Sequence, residues 1–161
     1  MNNDAPLALF ITWTIYGTFL PGDARWWHKR NQGEQLPQPK LAQWHRDRLK
    51  HPILLLQERD RATVENAIEE ISNFRGWKLW AKSARSNHVH LVVTAVARTP
   101  KLVRDQIKAK CTRELRVKNK SFLNRDVWTA GGDIEFLDAD SEIDSCVKYV
   151  AEAQNRKNRG M

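Results

Sequence analysis

Residues 7–16 alternate between two faces, with Leu7, Leu9, Ile11, Trp13 and Ile15 on one and Ala8, Phe10, Thr12, Thr14 and Tyr16 on the other. A period of two over that length predicts a β-strand, closed by Gly17. Residues 60–74 change period: Ala62, Val64, Ala67, Ile68, Ile71 and Phe74 recur at helical spacing, and Gly76 stands where a helix favours a left-handed terminator. Two strands follow at 77–84 and 88–96, and the tight polar link Arg85-Ser86-Asn87 predicts an antiparallel hairpin. A second helix starts near Pro100 and runs to about Val117, with Val103, Ile107, Cys111 and Leu115 at steps of four. Beyond Val127-Trp128, Gly131-Gly132 turns the chain into a short strand at 134–137. Asp138-Ala139-Asp140-Ser141 then offers an N-cap to a last helix reaching about Arg156.

Between the first strand and the first long helix, about residues 17–57, the chain is rich in Gly, Pro, Gln and aromatic residues, with a short helix expected at 41–49. An excursion of that length is unusual in a compact domain unless it has a function. The order is thus β, insertion, α, β, β, α, β, α. It predicts an α+β fold of the ferredoxin-like type, an antiparallel sheet with helices packed on one face, forming a single domain over 1–161. No internal repeat or low-complexity tract interrupts it.

Composition narrows the partners. Apolar content of 41% and charged content of 29% exclude disordered and fibrous classes. No apolar run approaches the roughly 20 residues that span a bilayer, and the amino terminus lacks a signal-peptide pattern, so a cytoplasmic protein without membrane contact is expected. Cys111 and Cys146 lie far apart and outside any CxxC spacing, as ordinary small apolar residues would. The net charge is +8, and residues 98–125 hold ten Lys or Arg against two acids, which concentrates the whole excess there. A solvated helix face usually mixes signs, as residues 59–75 do with three bases and four acids, so the segment points to nucleic acid. Arg104, Lys108, Arg113 and Arg116 are its candidate contacts. Arg25-Trp26-Trp27-His28-Lys29-Arg30 interleaves bases with aromatics, which suits either stacking on unpaired bases or a lid over the core.

The sharpest local signal is Asn87-His88-Val89-His90-Leu91-Val92-Val93. In a strand His88 and His90 share a face while Val89, Leu91 and Val93 enter the opposite layer, so the two imidazoles can chelate one divalent cation or form a plain polar pair. On the last helix Ile143, Cys146, Val147, Val150 and Gln154 make the apolar stripe, and Tyr149 falls about 115° from its centre at about 100° per residue. A tyrosine that served only the core would more often lie within the stripe. Glu152 lies about 60° from Tyr149 on the same side and could lend a carboxylate to the cation; Gln154, in the stripe, is the weaker alternative.

In these residues the chain resembles the small single-tyrosine HUH transposases of insertion sequences and the related transposases associated with repetitive extragenic palindromes (REP). The likeness rests on residues 87–93, on Ile11-Thr12-Trp13 and Tyr16-Gly17-Thr18-Phe19-Leu20-Pro21-Gly22-Asp23, on Val127-Trp128-Thr129-Ala130-Gly131-Gly132, and on Tyr149-Val150 before Gln154. It spans nearly the whole chain. It implies a fold of the HUH endonuclease type and a metal-dependent enzyme that cleaves single-stranded DNA beside hairpins, leaving a 5′-phosphotyrosine on Tyr149 and a free 3′-OH, and rejoins strands by the reverse attack. It further implies His88 and His90 as ligands of Mg²⁺ or Mn²⁺ and a homodimer as the working unit. Many relatives carry Gln or Asn four residues after the tyrosine as third ligand, whereas that position here is Ala153, flanked by Glu152 and Gln154. No nucleotide cofactor is expected, since no Gly-rich phosphate loop with a following Lys-Ser or Lys-Thr occurs. The rival readings are a non-catalytic binder of DNA or RNA hairpins on the same fold and a metal hydrolase in which Tyr149 is structural.

Overall fold

The computed structural model describes residues 5–18, 27–29, 33–96 and 98–159, with the side chains of 27–29, 33–35 and 153–159 left aside. Its elements are β1 (Ala8–Thr14), β2 (Trp27–Lys29), β3 (Gly33–Gln35), α1 (Pro39–Asp47), α2 (Glu58–Arg75), β4 (Lys78–Ala84), β5 (His88–Thr94), α3 (Pro100–Lys118), a 3-10 turn (Lys120–Phe122), β6 (Asp133–Leu137) and α4 (Asp140–Arg159).

Four strands form one antiparallel sheet in the order β4-β5-β1-β6, and β2 and β3 form a separate two-stranded ribbon. With α2 and α3 as crossovers, this is the ferredoxin-like arrangement expected from the element order. β1 and β5 are central and buried on both faces. On one face Leu9, Ile11, Trp13, Ile15, Val89, Leu91 and Val93 meet the stripes Val64-Ala67-Ile68-Ile71 of α2 and Val103-Ile107-Cys111-Leu115 of α3. Each fully buried aliphatic side chain there contributes about 1.5–3 kcal/mol relative to exposure. Burial also pushes the Cys111 thiol pKa well above the ordinary range, so this cysteine acts as a small apolar residue.

The terminal helix departs from the one-sided layering. A second, smaller core of Ala8, Val92, Leu137, Ile143 and Val150, with Phe10 and Val147 against it, places α4 on the opposite face of the sheet. Ala8 and Phe10 of β1 and Val92 of β5 therefore lie beneath a helix as well. α4 begins at Asp140, with the Ala139 carbonyl accepting from the Glu142 and Ile143 N–H groups, and its first-turn acids Asp140 and Glu142 complement the positive end of the helix dipole.

Other boundaries follow local chemistry. Gln57 and Asp60 form a reciprocal capping box at the start of α2, and Gly76 ends it at φ 73°. α1 starts at Pro39, two residues before the expected helix, because a proline suits the first helical turn. No helix among the described residues is long and apolar enough to cross a membrane.

Candidate active site

β5 alternates as its sequence predicts. Val89, Leu91 and Val93 enter the large core, while His88, His90 and Val92 face α4. His90 pairs across the sheet with Thr12 on β1 and Ser83 on β4, and this central position leaves it 3% exposed. His88, opposite Thr14 at the strand's start, is half-buried. The two imidazole centroids stand 4.9 Å apart at 83°. His88 Nδ1 lies 2.7 Å from Asn87 Oδ1. A carboxamide oxygen can only accept; with Nδ1 donating to it, Nε2 would be the ring nitrogen that can ligate a metal.

α4 brings the tyrosine to this pair. Ile143 and Val150 are buried in the second core, and Tyr149, off their stripe, is 43% exposed. Its ring centroid is 5.9 Å from that of His90 at 81° and 6.1 Å from that of Phe10. Phe10 closes the triangle at 6.0 Å from His90. The hydroxyl-bearing side chain thus stands at the helix edge beside the histidines, with Phe10 as spacer. Sequence reasoning assigned Phe10 no role, although strand alternation already put it on the face of Thr12 and Thr14.

The third-ligand candidates are placed less closely. Glu152 is exposed on α4, and among the described residues no third His, Cys, Asp or Glu gathers with His88 and His90. Gln154 belongs to α4, but its side chain lies outside the described residues. Arg25 and Trp26 also lie outside them, and of Trp27 only the backbone, at the head of β2, is described.

The basic helix α3 is partly engaged within the fold. Lys108 Nζ donates to the carbonyls of Thr129 (3.0 Å) and Gly131 (2.7 Å), and Arg104 Nη1 donates to Gly132 O (3.0 Å). Burial first, and the neighbouring Arg104 second, lower the Lys108 pKa to about 8. Trp128 Nε1 bonds Thr112 Oγ1 at 2.8 Å, so the whole 128–132 turn is pinned to α3. Arg116 holds the Phe122 and Arg125 carbonyls through Nε and Nη2, whereas Arg113 is exposed. Tyr16, the other tyrosine, lies apart: its hydroxyl accepts from Lys50 N–H at 2.7 Å and its ring meets His51.

A family model for IS200-like transposases matches residues 48–153. Among solved structures, that of a REP-associated tyrosine transposase bound to a REP hairpin superposes with a TM-score of 0.53 at 12% identity, over 95% of this chain and 69% of that one. A protein of Deinococcus radiodurans R1, described as a transposase candidate, superposes with a TM-score of 0.50 at 10% identity, over 99% of this chain and 94% of that one. At such identities the likeness is one of fold. No curated protein sequence matches.

Proposed function

Because the chain belongs to the IS200-like transposase family, we propose that it cleaves and rejoins single-stranded DNA beside hairpins, with Tyr149 as nucleophile. The observation that carries this reading is the meeting of Tyr149 and His90, on different elements, with rings 5.9 Å apart and the tyrosine open to solvent.

Tyr149 Oη attacks the scissile phosphorus; the Oη–P bond forms as the P–O3′ bond breaks. The tyrosine gives up its hydroxyl proton and the leaving 3′-oxygen takes one up. The resulting 5′-phosphotyrosine ester retains the bond energy, so a 3′-OH can reverse the attack without a nucleotide triphosphate.

His88 and His90 suit a divalent cation by their chemistry, since they are adjacent imidazoles and Asn87 sets the His88 tautomer. Mg²⁺ or Mn²⁺ bound there would neutralise the phosphate and stabilise the leaving oxygen. Water, DNA oxygens, Glu152 and Gln154 are the candidates for the remaining positions. His90 is buried between Thr12 and Ser83, whereas His88 at the strand's start is half-buried. The working unit we propose is a cytoplasmic homodimer of one-domain chains.

Incubation with hairpin-bearing single-stranded DNA and Mn²⁺ or Mg²⁺, followed by a denaturing gel, tests the reading. A protein–DNA adduct that Tyr149→Phe abolishes and Tyr16→Phe leaves supports it. Cleavage without an adduct indicates a hydrolase, and binding without cleavage indicates a binder.

A further inference from the structure

Thr12 stands at the centre of the sheet face that carries the histidines. It pairs with His90 of β5 on one side and Asp133 of β6 on the other, and Phe10 and Thr14 flank it two residues away along β1. Phe10 and Val92 pack beneath α4, so by alternation Thr12, Thr14 and His90 share that face. Directly paired side chains have Cβ atoms about 4.5–5.5 Å apart, and residues two apart on a strand are about 7 Å apart. Two of these neighbours, His90 and Phe10, are the residues whose rings Tyr149 meets, at 5.9 and 6.1 Å. A phosphate within reach of both the tyrosine and the imidazoles therefore sits beside Thr12.

The Thr12 hydroxyl differs from those around it. Thr14 Oγ1 donates its one hydrogen to Thr129 Oγ1 at 2.8 Å. Ser83 is buried on β4, on the flank of His90 away from Phe10. Thr12 is half-buried and makes no side-chain hydrogen bond among the described residues, so its O–H is uncommitted. Charge confines a phosphate to the same place, since Asp133 and Glu135, both exposed on β6, repel it from the far side of Thr12.

Resting on the DNA-cleaving reading above, we propose that Thr12 positions the scissile phosphate, its Oγ1–H donating to one non-bridging oxygen while Tyr149 Oη attacks phosphorus. The hydroxyl keeps its proton throughout, and the bonds made and broken remain Oη–P and P–O3′. A donor fixed on a buried strand and aimed at an oxygen that gathers charge acts on the rate of attack more than on the binding of the DNA.

The test compares Thr12→Val, which replaces the hydroxyl by a methyl of the same shape, with Thr12→Ser, which keeps it, in the full chain. Adduct formation on hairpin-bearing single-stranded DNA is followed in a single turnover at saturating DNA, with a thermal melt as the folding control. Thr12→Val should slow the adduct at least about tenfold, as for a lost hydrogen bond to a charged group, and Thr12→Ser should recover it to within about threefold. Hairpin affinity and the calorimetric affinity for Mn²⁺ should stay within about twofold of wild type in both. Substrates with sulfur, a poor acceptor, in place of one or the other non-bridging oxygen are then compared in Mn²⁺. Sulfur at the oxygen that Thr12 holds should slow the wild type more than it slows Thr12→Val.

An unaltered rate in folded Thr12→Val, or the same sulfur effects in both proteins, overturns the assignment. So does a rate loss matched by a loss of Mn²⁺ affinity, which would show Thr12 acting through His90. If Thr12→Val melts early, Thr12→Ala takes its place under the same criteria. If the wild type forms the Tyr149 adduct and Thr12→Val equals it, only this inference fails. If the wild type forms no adduct, the transposase reading itself fails.

Discussion

Tyr149 on α4 and His90 on β5 stand nearly perpendicular, ring to ring, with Phe10 of β1 against both. The three come from separate elements, so their spacing is set by the packing of α4 on the sheet. Phe10→Ala should remove about 2 kcal/mol of stability, less than a fully buried Phe, because the ring is only half-buried. Adduct formation in a single turnover should slow by more than hairpin binding weakens, and Phe10→Leu, which restores bulk, should recover most of the rate. An unaltered rate in Phe10→Ala, at a temperature where the variant is folded, would show that the ring does not space the site.

Asn87 is expected to act on the cation through His88. By holding Nδ1–H it fixes the ring with Nε2 as donor, and loss of such an outer partner typically costs about 10–100-fold in metal affinity. Calorimetric titration with Mn²⁺ should show that weakening in Asn87→Ala, near-native binding in Asn87→Asp, and no binding in His90→Ala. Equal affinities in wild type and Asn87→Ala would remove the positioning role.

The reach of the sequence can be seen residue by residue. The shared face of His88 and His90 was legible because a strand has a period of two, and the exposed edge of Tyr149 because Ile143 and Val150 define the stripe it avoids. The side of the sheet that α4 covers was not legible, since an apolar stripe is the same whichever face it meets. Periodicity likewise placed Arg104 and Lys108 on the outer faces of α3 but could not show that the 128–132 turn folds back onto them. Glu152 illustrates the same limit: a helical angle gives direction, while reach to the histidines depends on how deeply α4 sits.

Lys108 gives the protein a pH signature. Its folded-state pKa, lowered to about 8 by burial and then by Arg104, lies below the ordinary 10.5. Between these values the unfolded chain holds a proton that the folded chain has released, so stability due to this group rises with pH across roughly 8 to 10.5. Below about 8 both states are protonated and its slope vanishes. Urea midpoints measured from pH 7 to 10.5 should therefore climb more steeply in wild type than in Lys108→Met. Parallel profiles would mean that the bonds to Thr129 O and Gly131 O keep Lys108 charged.

Gly132 is the tightest point of that pinned turn. Its φ of 134° is a conformation L side chains rarely adopt, and a Cβ built there would stand 2.8 Å from Thr12 O, 3.2 Å from Trp13 Cβ and 3.3 Å from Arg104 Cδ. Arg104 can move, but Thr12 O belongs to the central strand β1 and cannot yield without disturbing its pairing with β5 and β6. Gly76, by contrast, has φ 73° and open space around the missing Cβ. Gly76→Ala should therefore cost about 1 kcal/mol, the expense of a left-handed alanine at a helix end, whereas Gly132→Ala should cost at least about 2–3 kcal/mol as strain and clash combine. Denaturant unfolding of both variants gives the comparison. Because Thr12 pairs with His90, Gly132→Ala should also weaken Mn²⁺ binding while Gly76→Ala leaves it intact, a difference that stability loss alone would not produce in folded protein.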